Sequence, residues 1–177
     1  MKVDKTRRKS FITLIITITS VGIVIFLLSY IHKNRTFVSV QNSQISIQKS
    51  EEEWRKILTP QQYYVLREKG TDVPFNPNDA LLHEKRKGTY ITADCGEPVF
   101  RSEAKFDSGT GWPSFYEPMP DSIEELSDTS LGLDRVEVVG KKCGGHLGHV
   151  FTDGPKPTGL RYCINSSALR FIPDTDQ

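Results

Sequence analysis

The strongest candidate for covalent chemistry in this 177-residue sequence is Cys163, within the pentapeptide Arg161-Tyr162-Cys163-Ile164-Asn165. Side chains alternate between the two faces of a strand, so a strand here would place Arg161, Cys163 and Asn165 on one face. A neighbouring cation lowers the pKa of a thiol, and this arrangement indicates a reactive cysteine. The alternative is a small apolar side chain that fills a gap in the core, and the pentapeptide alone favours it.

Two histidines, His146 and His149, stand three residues apart in the glycine-rich segment GGHLGHVF. Neutral imidazoles form good hydrogen bonds and transfer protons near pH 7. The glycines leave the segment free to bend, as at a β-bulge. Two other interpretations stay open: histidines with their hydrogen bonds satisfied in the core, or a transition-metal site made of Cys143, His146, His149 and Cys163.

Trp112 lies between Gly111 and Pro113 in the turn-rich segment KFDSGTGWPSFY. A stiff turn of this kind can present an indole as the wall of a small apolar pocket. A lone tryptophan is more often part of the core, but this setting favours a displayed ring.

The elements that would position these residues are mostly short strands. After Gly88, runs of β-branched and aromatic residues alternate with Gly, Pro, Asp and Ser, which predicts a mainly antiparallel β structure. The predicted strands cover residues 89–93, 99–100, 135–139, 150–152 and 161–164.

A short helical preface precedes the strands. A capping box at Ser50 opens a first helix, and Thr59, followed by proline, opens a second helix that ends at Gly70. We expect a third helix, capped by Asn78 and extending to Gly88.

Residues 11–31 form a run without a charged side chain. As a helix this run would be ~31 Å long, close to the ~30 Å hydrocarbon core of a bilayer. It is longer than the apolar part of a typical signal peptide, so we predict an uncleaved transmembrane signal anchor. The basic tail, residues 1–10, would then lie in the cytoplasm by the positive-inside rule.

The remaining chain divides into a polar stalk, residues 32–53, and a domain, residues 54–177, which we expect outside the cytoplasm. An oxidising compartment of that kind favours disulfides. Residues 50–177 hold 15 basic and 21 acidic side chains, which makes nucleic-acid binding a poor interpretation.

The motifs KFDSGTGWPSF, HLGHVFTDGP and RYCINSSAL follow LTPQQYYVLREKGTDVPF in this order. Together they resemble the peptide methionine-R-sulfoxide reductases of type B, the MsrB family, over residues 54–171. The resemblance implies antiparallel sheets of the MsrB type behind the helical preface. It also implies an enzyme that restores methionine from its R-sulfoxide in oxidised proteins.

The resemblance assigns a role to each candidate residue. Cys163 matches the nucleophile: its thiolate attacks the sulfoxide sulfur, the oxygen leaves as water, and a sulfenic acid remains. His146, His149 and Asn165 match residues that bind or protonate the sulfoxide oxygen. Trp112 matches the indole that packs on the substrate's ε-methyl group.

Two further positions bear on the nucleophile. Arg161 matches the family's arginine beside the cysteine, where it favours the thiolate. Thr110 stands where many relatives carry a resolving cysteine, so the usual intramolecular disulfide is absent. The resemblance then implies that an external thiol or a thioredoxin-like partner recycles Cys163, with Cys95 or Cys143 as a less favoured resolving thiol.

Other relatives bind structural zinc through two Cys-x-x-Cys knuckles, which here match Thr92-x-x-Cys95 and Gly140-x-x-Cys143. Two thiolates are too few for structural zinc, so we predict no zinc. If the fold keeps the knuckles together, Cys95 and Cys143 form a disulfide.

Three other functions compete with a reductase. A metal-binding module would use Cys143, His146, His149 and Cys163 and would hold zinc or copper. A Cys–His hydrolase would need Cys163 near a helix N-terminus or an oxyanion hole. A tethered domain that binds oxidised partners without turnover is the third.

Overall fold

The computed structural model describes residues 47–175. The predicted basic tail, the predicted anchor and residues 32–46 of the predicted stalk lie outside this range. Within the described range, no helix combines the length and the apolar character that crossing a membrane requires.

The helical preface consists of α1 (Glu51–Ile57) and α2 (Pro60–Glu68). Both predicted helix starts are confirmed, and both are capping boxes: Ser50 and Thr59 each accept the N–H of the third helical residue, and their own N–H groups donate to the side chain of that residue. Each box satisfies two backbone donors that a helix start leaves unpaired. The helices bury Trp54, Val65 and Leu66 against the sheets.

The prediction of a third helix at residues 78–88 is wrong. Residues 80–82 form a turn in which the Asp79 carboxylate accepts the N–H groups of Leu81 and Leu82, at 2.9 and 3.0 Å. An aspartate that bonds the backbone in this way competes with helix formation. The Lys105 ammonium also donates to the Leu82 and Glu84 carbonyl oxygens, at 2.8 and 3.3 Å, which a helix would need as acceptors for its own bonds.

Two antiparallel sheets, joined by loops and three short 3-10 turns (Ser102–Ala104, Ser130–Gly132 and Ser166–Ala168), follow the helices. The three-stranded sheet has the order β2-β1-β9, and the six-stranded sheet has the order β3-β4-β8-β7-β6-β5. The strands are β1 (Gly88–Thr92), β2 (Pro98–Arg101), β3 (Lys105–Phe106), β4 (Ser114–Phe115), β5 (Ile123–Asp128), β6 (Arg135–Gly140), β7 (His146–Phe151), β8 (Arg161–Ile164) and β9 (Leu169–Pro173).

The predicted mainly antiparallel architecture is confirmed, but the sequence pattern did not predict β3, β4, β5 or β9. Strands β3 and β4 are only two residues long, too short for a sequence pattern to reveal. Strand β5 is a largely exposed edge with the sequence IEELSD, whose acidic residues have low strand propensity. Strand β7 begins at His146 rather than at Val150, so both histidines are strand residues.

A layer of aromatic rings joins the two sheets. Phe100 of β2 stacks on Phe115 of β4 with centroids 4.4 Å apart, and Tyr90 of β1 meets Phe115 edge-on at 4.9 Å. Tyr162 of β8 packs on Phe100 at 5.9 Å. Since Tyr162 points into this layer, its neighbour Cys163 points to the other face of β8.

Candidate active site

A cavity of about 140 Å³ brings together four of the candidate residues: Cys163, His149, Asn165 and Trp112. The remaining wall residues are Thr71, Arg135, Gly148 and Phe151. A space of this size holds about one side chain, well below the roughly 300–1,000 Å³ of pockets for larger ligands.

Strands β7 and β8 place the thiol opposite an imidazole. Cys163 pairs directly with His149 in the antiparallel register. Tyr162 and Ile164, on either side of Cys163, are buried, whereas Cys163 itself is a free, partly exposed cysteine. The predicted alternation is confirmed, and the alternative of a cysteine that only fills the core does not fit an accessible sulfur.

A β-bulge shapes the histidine segment, as the glycine pattern predicted. The register of β6 and β7 shifts between Val138 and Val139, which pair with Gly148 and His146. Gly148 also lies tight against β8: a Cβ there would stand 2.1 Å from the Cys163 carbonyl oxygen, so only glycine fits. The bulge leaves the rings of His146 and His149 with centroids 5.4 Å apart.

His149 is held by Asp128, the last residue of β5. Its Nε2 lies 2.7 Å from Asp128 Oδ2, which also accepts Arg135 at 2.8 Å. Hydrogen bonds from Ser130 and then from His149 hold the pKa of Asp128 well below its usual range. An ionised carboxylate only accepts, so Nε2 carries a proton, and Nδ1 is left for proton exchange in the cavity.

His146 lies behind His149 rather than in the cavity wall. Its side chain is 3% exposed, and its Nδ1 is 2.7 Å from Glu137 Oε1. Glu137 also accepts a hydrogen bond from the Lys69 ammonium at 2.7 Å. Burial acts to raise the pKa of Glu137, but the hydrogen bonds from Lys69 and His146 outweigh it and lower this pKa. Burial lowers the pKa of His146 against the pull of Glu137, which favours a neutral ring.

Burial raises the pKa of the Cys163 thiol. Hydrogen bonding from Thr110, whose Oγ1 is 3.8 Å from Sγ, and the charge of Arg161 oppose this rise without overcoming it. The expectation of a lowered pKa is therefore wrong for the free protein: Arg161 acts in the expected direction, and loss of water outweighs it. Arg161 itself pairs with Asp153 at 2.9 Å and does not line the cavity.

The segment after α2 braces two walls of the cavity. The Trp112 indole N–H donates to the Asp72 carbonyl at 2.9 Å, and the Asp72 N–H donates to Asn165 Oδ1 at the same distance. The Asp72 carboxylate accepts both the N–H and the hydroxyl of Ser167, each at 2.8 Å. Asn165 Nδ2 completes the brace through the Leu147 carbonyl at 3.1 Å.

Three carboxylates of the site, Asp72, Asp128 and Glu137, were missed in the sequence. Of the three, only Glu137 carried a local sequence signal, because it interrupts the apolar residues of RVEVV. In the structure its side chain is buried, at 3% exposed. A buried acid in such a run needs partners, here Lys69 and His146. Asp72 and Asp128 lie in ordinary polar segments.

The predicted disulfide is confirmed. Cys95 and Cys143 are bonded, with Cα atoms 6.4 Å apart. Thr92 and Gly140 occupy the other two knuckle positions, and the only further donor within 4.8 Å of both sulfurs is the Asp94 carboxylate, among the described residues. Two sulfurs bonded to each other do not supply the thiolates that structural zinc needs, so the residues do not fit a zinc site.

The alternative metal site is not assembled. Cys143 is joined to a sulfur at the knuckles, while Cys163 and His149 line the cavity and His146 is bonded to a carboxylate. Within residues 47–175, the only group of three ligand atoms close enough for a metal ion is the one around the disulfide. Cys163 lies within a strand rather than at the N-terminus of an α-helix, where the hydrolase interpretation would place its nucleophile.

Comparison with known proteins agrees with this geometry. The SelR domain matches residues 58–173, which include every residue of the cavity. The chain belongs to the MsrB family. Proteins named peptide methionine sulfoxide reductase MsrB are similar to it: those of Methanosarcina barkeri, Leptospira interrogans and Bradyrhizobium diazoefficiens are 56%, 54% and 58% identical. The matches to these MsrB proteins cover 73%, 71% and 71% of this chain and 90%, 95% and 89% of the relatives.

Proposed function

We propose that this domain reduces methionine-R-sulfoxide residues in proteins to methionine, with Cys163 as the nucleophile. The observation that carries the proposal is the free Cys163 sulfur facing His149 in a side-chain-sized cavity walled by Trp112. Membership of the MsrB family supports the reaction, which makes the protein a peptide-methionine (R)-S-oxide reductase.

The first step forms a bond between the Cys163 sulfur and the sulfoxide sulfur. The sulfoxide oxygen takes one proton from the thiol and one from solvent and leaves as water. A water molecule then cleaves the sulfur–sulfur bond and returns a proton to solvent. The net change is thiol plus sulfoxide to sulfenic acid plus thioether, so Cys163 is oxidised by two electrons and the substrate is reduced by two. Because its pKa is raised, the thiol retains its proton in the free protein and brings it to this step.

His149 is the group best placed to move these protons. Asp128 fixes the proton on Nε2, which leaves Nδ1 to accept a proton from the thiol and pass it to the oxygen. His146, buried and bonded to Glu137, supports the ring of His149 at 5.4 Å and does not touch the cavity. Asn165 and Trp112, both braced by Asp72, orient the oxygen and the methyl group.

The second step returns the sulfenic acid to a thiol with electrons from outside the domain. A thioredoxin-like dithiol converts Cys163 sulfenic acid to thiol and water and becomes a disulfide itself. Two observations support an external reductant. Thr110 stands next to the Cys163 sulfur and has no thiol, and Cys95 and Cys143 are bonded to each other.

Turnover of the separated R and S epimers of a blocked methionine sulfoxide tests the reaction. We expect the wild type to reduce only the R epimer and Cys163→Ser to lose at least about 10³-fold in kcat/KM, since no other free cysteine is present in the sequence. Equal use of both epimers, or turnover by Cys163→Ser, would refute the assignment.

We further propose that residues 11–31 anchor the domain outside the cytoplasm. The charge-free run and the basic residues before it support this orientation, and the Cys95–Cys143 disulfide suits an oxidising compartment. Full-length protein should fractionate with membranes, and its domain should be accessible to protease added from the extracytoplasmic side. Recovery in the soluble fraction would contradict the anchor.

A further inference from the structure

A cleft of about 540 Å³ adjoins the catalytic cavity and shares Trp112 with it. The catalytic cavity has room for the oxidised side chain and for little else. A polypeptide substrate must therefore place the residues next to its oxidised methionine elsewhere. A third cavity, of about 550 Å³, shares no wall residue with the catalytic one, whereas the cleft shares Trp112 with it.

Phe75 presents its ring at this cleft and is 64% exposed. Its backbone has a φ of 55°, a left-handed value that is uncommon for an aromatic residue. Its N–H donates to the Gly111 carbonyl at 3.0 Å, and a Cβ at Gly111 would stand 2.6 Å from the Phe75 nitrogen. The backbone beside Trp112 thus holds a large apolar ring in solvent, in a conformation of the kind found at ligand-binding sites.

The charges in the cleft favour an acidic partner. Arg86 pairs with Glu84 at 2.6 Å, so these two largely cancel. Lys85, Lys105 and Asp107 remain, two cations against one carboxylate. The Lys105 ammonium is partly buried and donates to two backbone carbonyls, which fix its position without neutralising its charge.

We propose that this cleft, marked by Phe75, Lys105 and Trp112, is the subsite for the residues that flank the oxidised methionine in a polypeptide, and that it prefers a carboxylate-bearing flank. The inference rests on the proposed reductase function and adds the location and chemistry of peptide recognition. The Phe75 ring contacts the neighbouring residue, and Lys105 attracts its negative charge.

Kinetics with matched substrates test this subsite. The substrates are N-acetyl-methionine-R-sulfoxide amide and three heptapeptides with the same sulfoxide flanked by Glu, Gln or Lys. We expect the wild type to prefer the Gln peptide over the blocked residue, and the Glu peptide over the Lys peptide, by a few fold in KM. Phe75→Ala should remove most of this few-fold preference for the Gln peptide, and Phe75→Tyr, which keeps the ring, should retain it.

Val73→Ala is the matched control, because Val73 belongs to the same segment, is 75% exposed and lines the third cavity instead. It should leave the peptide preference unchanged. Loss of the preference in Val73→Ala but not in Phe75→Ala would place the flank in the third cavity and overturn the proposal. So would equal kcat/KM for peptide and blocked residue in the wild type, or a better Lys than Glu peptide. Failure of the wild type to reduce any of the four substrates would instead refute the reductase function.

Discussion

Cys163 lies in strand β8 of the six-stranded sheet, whereas the Cys95–Cys143 pair lies where a turn of that sheet meets a turn of the three-stranded sheet. Cys143 occupies the turn between β6 and β7, and Cys163 pairs with His149 further along β7. At the turn, two sulfurs bond to each other and join this hairpin to the β1–β2 turn of the other sheet. On the strand, one sulfur stays free, at the wall of a cavity.

The difference shows what separates a structural from a reactive cysteine in one fold. The knuckle sulfurs meet because two hairpin turns meet, and a covalent bond is the stable outcome in an oxidising space. Cys163 has no thiol partner within the site. Its neighbours are Thr110 and Arg161, which stabilise charge on sulfur, and His149, which can move a proton.

The largest expected effect comes from breaking the structural pair. Cys95→Ser combined with Cys143→Ser should lower the free energy of unfolding by about 4 kcal/mol, because the bond closes a loop of 48 residues in the unfolded chain. Urea denaturation measures the loss, and turnover with a dithiol reductant should not change. Thiol titration of denatured, unreduced wild type should count one free thiol.

Two results would contradict this separation of roles. Three free thiols in the wild type would mean that the pair is not bonded. A double variant that is folded but has lost dithiol-driven turnover would make the pair an electron relay to Cys163.

The next effect concerns the proton path on the catalytic side. Asp128→Asn should lower kcat about 10–100-fold with little change in KM, because an amide can donate to His149 Nε2 and reverse the ring's tautomer. The pH profile of kcat should change shape as well. Asp134→Asn, which removes an exposed carboxylate before β6, serves as the control. An equal fall in kcat for both variants would refute a specific role for Asp128.

The predictable parts of the molecule are those with short-range causes. The capping boxes at Ser50 and Thr59 involve residues three apart, and the two faces of β8 follow from alternation alone. The Asp79 turn was missed although it is local, because a capping residue followed by apolar spacing also fits a helix. The bonds that disfavour the helix come in part from Lys105, which is distant in sequence.

The unpredictable parts of the site depend on strand pairing. Asp128 is 21 residues from His149, and only the order β5-β6-β7 brings them together. His146 and His149 look equivalent in the motif, yet the bulge and Glu137 put one in the core and the other at the cavity. The direction of the pKa shift of Cys163 could not be predicted either, because the sequence shows the neighbouring Arg161 but not the burial of the thiol, which outweighs it.

A resolving thiol placed beside Cys163 would make the catalytic region resemble the knuckles. Because Thr110 Oγ1 is 3.8 Å from Sγ, Thr110→Cys should capture the sulfenic acid as a disulfide. Trapping of the sulfenic acid with dimedone after one turnover without reductant should fall about tenfold relative to wild type. Ser108→Cys is the matched control, since Ser108 contacts Thr110. Unchanged trapping in Thr110→Cys would show that this side chain does not reach the oxidised sulfur.

The smallest expected effect is that of the cation near the nucleophile. Burial raises the pKa of Cys163 and Arg161 opposes the rise, so Arg161→Gln should raise this pKa further and reduce the thiolate fraction at a given pH. Iodoacetamide alkylation of Cys163 at pH 8 should slow by roughly two- to fivefold, because only the thiolate reacts. Far above the pKa, both proteins are thiolates and their rates should converge. Arg170→Gln, at an exposed arginine on β9, should alkylate like wild type. An unchanged rate in Arg161→Gln at pH 8 would mean that Asp153, bonded to the guanidinium at 2.9 Å, already cancels its charge at the sulfur.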